Sequence, residues 1–226
     1  MYDLKMTSNQ VSVVVLALHA NGNSSYRDAA AISRVFKKQY KIPCTIISDT
    51  NIIPDKAPGT TLMFADTKTT LISSLRTSIS QVGTGRTLIL FISAHGYTHR
   101  YPAKERGYVD YLKLGHEVIT NTELHYLVFA SIQEGVKLLG IIDTCHSGHM
   151  LDLEYASSDG VMFQTTANKT IMGGLGTARY ASISACRDDE VTGEDVSLSG
   201  GLGGKLVGHF LDALPRHGCT FNLLAI

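Results

Sequence analysis

Short apolar runs alternate with helix-period segments along most of this chain, and that alternation constrains the fold more than any other feature. Strands are predicted at Val11 to Leu18, Cys44 to Ser48, Thr87 to Ala94, Lys137 to Asp143 and Tyr180 to Ser184. Each is short and rich in Val, Ile or Leu, as a strand covered on both faces should be. A first helix runs from about Tyr26 to Lys38, and a second carries the stripe Leu71, Leu75 and Ile79. A third, from Asn121 to Glu134, presents Leu124, Leu127 and Val128, and a last one, from Lys205 to Leu214, presents Leu206, Val207, Phe210, Leu211 and Leu214. This order predicts βαβ units around a mainly parallel central sheet flanked by helices, an α/β fold. Tyr108 to Leu114 reads as a hairpin insertion, while residues 97–107 and 150–178 read as long loops. At 226 residues, with no repeat and no linker, a single domain is expected over 1–226.

Charge narrows the function classes. Lys plus Arg is 20 and Asp plus Glu is 20, so the formal net charge is zero. Such a chain lacks the basic field that nucleic acid or an anionic membrane attracts, so neither is an expected partner. The longest apolar run, Val13 to Leu18, falls far short of the roughly 18 residues of a membrane helix. Cys44, Cys145, Cys186 and Cys219 lie far apart without C-x-x-C spacing or a secretory signal, which predicts a reduced, cytoplasmic protein. Function must then reside in a local site.

Two predicted strands end alike. One finishes Ser93-Ala94-His95-Gly96, and the other Asp143-Thr144-Cys145-His146-Ser147-Gly148. The helix between them makes the two strands parallel neighbours, with both carboxyl ends on the edge where open α/β sheets place their sites. Period-two alternation puts Ser93 with His95, and Asp143 with Cys145, on shared faces while each strand continues. A thiol near its ordinary pKa is only a few per cent thiolate at neutral pH, so an imidazole that takes its proton makes it a working nucleophile. The same imidazole can protonate a leaving amine. The amides of Gly96 and Cys145 are candidate oxyanion donors, each worth about 3 to 4 kcal/mol in the transition state.

These motifs, together with the run SISACRDDEVTGED from Ser182 to Asp195, resemble the signatures of metacaspases and related caspase-like cysteine peptidases. The resemblance covers about Val11 to Leu214. It implies a caspase-like three-layer sandwich, large-subunit-like over about 1–150 and small-subunit-like over about 179–226. It further implies a cysteine endopeptidase with a His95/Cys145 dyad, acting on peptides and proteins as a monomer. A caspase-like binding or regulatory module without turnover is the alternative.

Asp143, two residues before the nucleophile, suits a cationic substrate side chain. The resemblance agrees, since metacaspases cleave after Arg or Lys, and Asp28 and Ser93 match their basic-residue pocket. Ser25 to Asp28 also reads as a helix capping box. Of the family's calcium ligands, Asp110 and Asp152 match two positions, but Asn121 and Thr122 replace the paired aspartates. Thr120 to Glu123 reads instead as a capping box, so no obligatory cofactor is expected and calcium activation is doubted. Cys145, His146 and His149 lack a fourth ligand for zinc. Cys186 is expected to pack near the specificity pocket, and Asp188, Asp189 and Glu190 either line its wall or solvate a loop. Lys169 and Arg179 are candidate self-cleavage points. Only twelve residues follow Leu214, fewer than related peptidases carry there, which reads as a minimal domain, a fragment or a processed chain.

Overall fold

The structure, a computed structural model, describes residues 9–18, 24–100, 108–153, 155–158, 161–164, 180–187, 191–192, 194–197 and 201–214. The predicted strands form β1 (Val11–Ala17), β2 (Cys44–Ser48), β4 (Thr87–Ser93), β8 (Lys137–Asp143) and β11 (Tyr180–Ser184). One more strand, β3 (Thr61–Phe64), joins them at the edge, giving the described residues a six-stranded sheet in the order β11-β8-β4-β1-β2-β3. Every pairing in it is parallel. Sequence reasoning missed β3 because its four residues are half-exposed and carry no continuous apolar signal.

The two faces of the sheet bury different partners. Leu16, Leu88, Leu90, Ile92 and Leu138 pack against Leu71, Leu75 and Ile79 of α2 (Lys68–Ser80) and Leu124 and Val128 of α3 (Asn121–Ser131). Val13, Val15, Ile89, Phe91 and Ile141 face Ala29 and Ile32 of α1 (Ser24–Ser33) and Val207, Phe210 and Leu211 of α4 (Lys205–Ala213). All seven residues of β4 are buried, as expected of a central strand in a three-layer sandwich. Phe36, Phe91 and Phe210 meet edge to face at 5.7 and 5.5 Å, fastening α4 and the segment after α1 to the sheet. That segment, Arg34–Gln39, is π-helical, so the first helix is regular only to Ser33.

A second antiparallel sheet covers the α2/α3 side: β5 (Gly96–Arg100), β6 (Tyr108–Leu114) and β7 (Glu117–Thr120). The expected hairpin is present, but residues 97–100, read as loop, are strand. Leu112, Leu114 and Ile119 enter the core beside α2 and α3. Residues 150–178, also read as loop, contain the hairpin β9 (Tyr155–Ser158) and β10 (Val161–Gln164). A last hairpin, β12 (Glu194–Ser197) with β13 (Gly201–Gly204), leads directly into α4. Among the described residues no helix is long and apolar enough to cross a membrane.

Candidate active site

Parallel register sets the site. Ala17, Ser93 and Asp143 are successive partners across β1, β4 and β8, so the central strands end level with one another. His95 and Cys145 each follow two residues later, outside the strands, which stop at Ser93 and Asp143. Strand alternation therefore does not orient them, contrary to expectation; the turns do. Both side chains line one cavity of about 60 Å³, together with Asp28, Ser93, Asp143 and Thr192. That volume holds about two water molecules.

The turn carrying Cys145 is built by close packing. His146 adopts φ +53, a left-handed conformation that reverses the chain after Cys145. A Cβ on Gly96 would overlap the Cys145 carbonyl oxygen and lie 2.9 Å from Thr144 Oγ1. Glycine is thus required because the two motifs touch through their backbones. Beneath the turn, Cys186 N donates to Ser147 Oγ at 3.2 Å, Ser184 Oγ donates to the Ser147 carbonyl at 2.9 Å, and Cys186 Sγ donates to the Thr144 carbonyl at 3.4 Å. Cys186 therefore braces the turn that carries Cys145, a more direct role than the pocket packing expected of it.

Two thiols contrast sharply. Burial pushes Cys44 up to about 12, which leaves it inert. Cys145 is only half-buried, and its thiol donates to the Thr192 carbonyl at 3.7 Å. Among the described residues no hydrogen bond joins Cys145 to His95. Catalytic contacts are often long before substrate binds, so this spacing is compatible with a dyad.

The acidic groups converge on the amino end of α4. Asp28 accepts from Ser93 Oγ at 2.7 Å and from Gly204 N at 3.1 Å. Asp143 Oδ2 accepts from Val207 N at 2.8 Å, acting as the cap that Gly204 cannot supply. Asp143 Oδ1 is buried with no hydrogen-bond partner among the described residues. Burial holds the Asp143 carboxyl above its usual range, opposed by the Val207 and Leu206 amides and by His209. Asp28 is not an N-terminal cap: α1 begins at Ser24, and Ser25 Oγ donates instead to the Leu18 carbonyl at 2.7 Å.

Asp110 and Asp152 are buried on the other side, near the start of α3. Asp110 precedes Tyr111, the partner of Thr120, and Asp152 follows Leu151, whose carbonyl contacts His125 Nδ1 at 2.8 Å. Asn121 contributes a buried, unpartnered Oδ1. The capping box is present, with Glu123 N donating to Thr120 Oγ1 and Thr120 N donating to Glu123 Oε2. Lys169, Arg179, Asp188, Asp189, Glu190 and Cys219 lie outside the described residues.

Sequence reasoning missed Thr192 and Gly204. Thr192 carried no signal, since it acts through its carbonyl. Gly203-Gly204 immediately before a predicted helix was a usable one, because glycines there admit a close neighbour: Cβ atoms would meet Asp28 Oδ1 and the Asp143 carboxylate.

Comparison with known proteins supplies an independent line. The profile of the metacaspase, peptidase C14 domain matches residues 16–154, more than half of the chain. A Metacaspase-1B from Aspergillus terreus is 30% identical over 138 residues, covering 56% of this chain and 34% of the relative. A Metacaspase-1B from Neurospora crassa is 40% identical over 68 residues, covering 30% of this chain and 16% of the relative. The matched segment thus spans about a third or less of those relatives. A crystal structure of a Geobacter sulfurreducens protein shares the fold, with TM-score 0.60 and 18% identity, over 92% of this chain and 83% of that one.

Proposed function

Since the chain belongs to the metacaspase family, through its peptidase C14 domain, we propose that it is a cysteine endopeptidase using Cys145 and His95 to cleave after Arg or Lys. The observation that carries this reading is the convergence of His95, Cys145 and a buried carboxylate with an unpartnered oxygen on one cavity. The Cys145 thiol gives its proton to His95, and Sγ attacks the scissile carbonyl. The tetrahedral intermediate collapses to a thioester as His95 returns the proton to the departing amine. Water, deprotonated by His95, then hydrolyses the thioester and frees the thiol. Asp143 and Asp28 receive the cationic P1 side chain, whose positive charge favours the ionised form of Asp143.

Calcium is not required in this scheme, because the replacements at Asn121 and Thr122 leave Asp110 and Asp152 with too few anionic partners to bind it tightly. The protein works as a monomer in a reducing, cytoplasmic compartment that preserves the thiol. Lys169 and Arg179 are its candidate self-cleavage points, to be read as new termini absent from Cys145→Ala protein.

One observation favours a second reading, a module without turnover: the Cys145 thiol is engaged by the Thr192 carbonyl. Fluorogenic peptides with P1 Arg, Lys and Asp, offered to wild type and Cys145→Ala, decide between them. Cleavage of the Arg and Lys peptides by wild type alone is expected. No cleavage of any, with and without calcium, establishes the silent module, and faster cleavage after Asp refutes the specificity.

A further inference from the structure

We propose that Tyr97 and Tyr111 form the subsite for P1′, the first residue of the leaving fragment, and select an aromatic or large apolar side chain there; this rests on the peptidase reading above. The acidic cavity opens on the sheet face covered by α1 and α4, where Asp28 and Asp143 are held. His95 lines that cavity and also meets Tyr97, which is not part of its lining. Tyr97 lies on β5 directly opposite Tyr111 of β6, in the small sheet that covers the α2/α3 face. The neighbour of Tyr111, Leu112, is buried in that core, so alternation directs Tyr111 to the opposite face of the hairpin.

The two phenol rings stack with centroids 5.5 Å apart and planes within 15°. The Tyr97 ring meets His95 edge to face at 6.1 Å and remains 37% exposed. To protonate the leaving amine, an imidazole nitrogen must come within about 3 Å of it. The P1′ α-carbon is bonded to that nitrogen, so its side chain emerges beside the imidazole. His95 thereby divides the cleft, with the P1 cation on the carboxylate side and the leaving residue on the tyrosine side. A pair of rings already held by each other offers an ordered aromatic surface, and rings prefer offset or edge-on partners at about 4.5 to 7 Å.

The test uses Cys145→Ala protein, which binds without cutting, and labelled P1 Arg peptides differing only at P1′ (Phe, Leu, Gly or Asp), with affinity read by fluorescence anisotropy. The Phe peptide is expected to bind about 2- to 12-fold more tightly than the Gly peptide. Adding Tyr97→Ala should shrink that ratio below about twofold, whereas Tyr97→Phe, which keeps the ring, should preserve it. Equal affinities at P1′, a preference for Asp, or a uniform weakening of all peptides by Tyr97→Ala would overturn the proposal, the last because it marks a merely structural role. Turnover of the same peptides by wild type is scored separately. Selective binding without cleavage upholds the subsite and refutes the peptidase reading.

Discussion

Replacing Asp143 separates its electrostatic task from its structural one. Oδ2 accepts from Val207 N at 2.8 Å at the start of α4, while Oδ1 is buried without a partner. Asp143→Asn keeps an acceptor for Val207 but removes the charge. A carboxylate and a guanidinium about 4 Å apart, at an effective dielectric of about 20, attract by about 4 kcal/mol. Asp28 stays in place, tied to Ser93 and Gly204, and retains part of that attraction. The expected loss in kcat/KM for a P1 Arg peptide is therefore about 10²-fold, below the roughly 10³-fold that the whole pair interaction would give. A matched P1 Gln peptide should change much less. Asp143→Ala removes the cap as well, which costs about 1 kcal/mol and lowers Tm by about 2 to 4 °C in a domain of this size. Steady-state kinetics on the two peptides and thermal unfolding of both variants make the comparison. Arg cleavage by Asp143→Asn within about twofold of wild type, or an equal fall for Arg and Gln, would refute the argument.

Further outcomes follow from the same geometry. Gly96→Ala forces a methyl against the Cys145 carbonyl; it should cost about 1 to 3 kcal/mol of stability and, by displacing the nucleophile, about 10²-fold in kcat, whereas normal turnover by this variant would show that the two turns are not in contact. Burial raises the Asp143 carboxyl, so the folded state favours its protonated form. That stabilisation is fully present below the unfolded value and is lost as pH rises through the raised folded value. Unfolding free energies of wild type relative to Asp143→Asn should therefore fall across that window, and a flat difference would contradict the buried charge. Chelation should leave cleavage of the Arg peptide within about twofold; a large, reversible stimulation by added calcium would show that Asp110 and Asp152 suffice with other ligands.

The sheet was legible because its central strands carry their own signal. Thr87 to Ser93 and Lys137 to Asp143 are continuous apolar runs, and each emerges as a strand covered on both sides. The edge strand Thr61–Phe64 was not, because an edge position relaxes the demand for apolar residues on both faces. His95, Gly96 and Cys145 were legible as chemistry, since thiol, imidazole and glycine at strand ends form a pattern. What Gly96 does was not. The role expected for it was to admit substrate and offer an amide, whereas its absent side chain is what lets the Cys145 carbonyl approach. Thr192 and the Ser147, Ser184 and Cys186 brace were illegible for a related reason: they act through carbonyls and long-range contacts that no residue type announces.

Global neutrality conceals the feature on which the proposed specificity rests. Twenty cationic and twenty anionic side chains cancel, yet Asp28, bonded to Ser93, and Asp143, the partner of Ser93 on the neighbouring strand, are both buried at a single helix end. Two carboxylates so close would repel if bare. The amides of Gly204 and Val207 reduce that repulsion, because an α-helix presents unpaired N–H groups and partial positive charge at its amino terminus. The carboxylate pair therefore depends on α4, and α4 depends on Asp143 for its cap. Loosening α4 should therefore weaken P1 selectivity. Gly204→Ala tests this link, since its methyl would strike the Asp143 carboxylate; it should narrow the Arg-over-Gln preference along with Tm, and a fall in Tm with selectivity intact would separate the helix from the site.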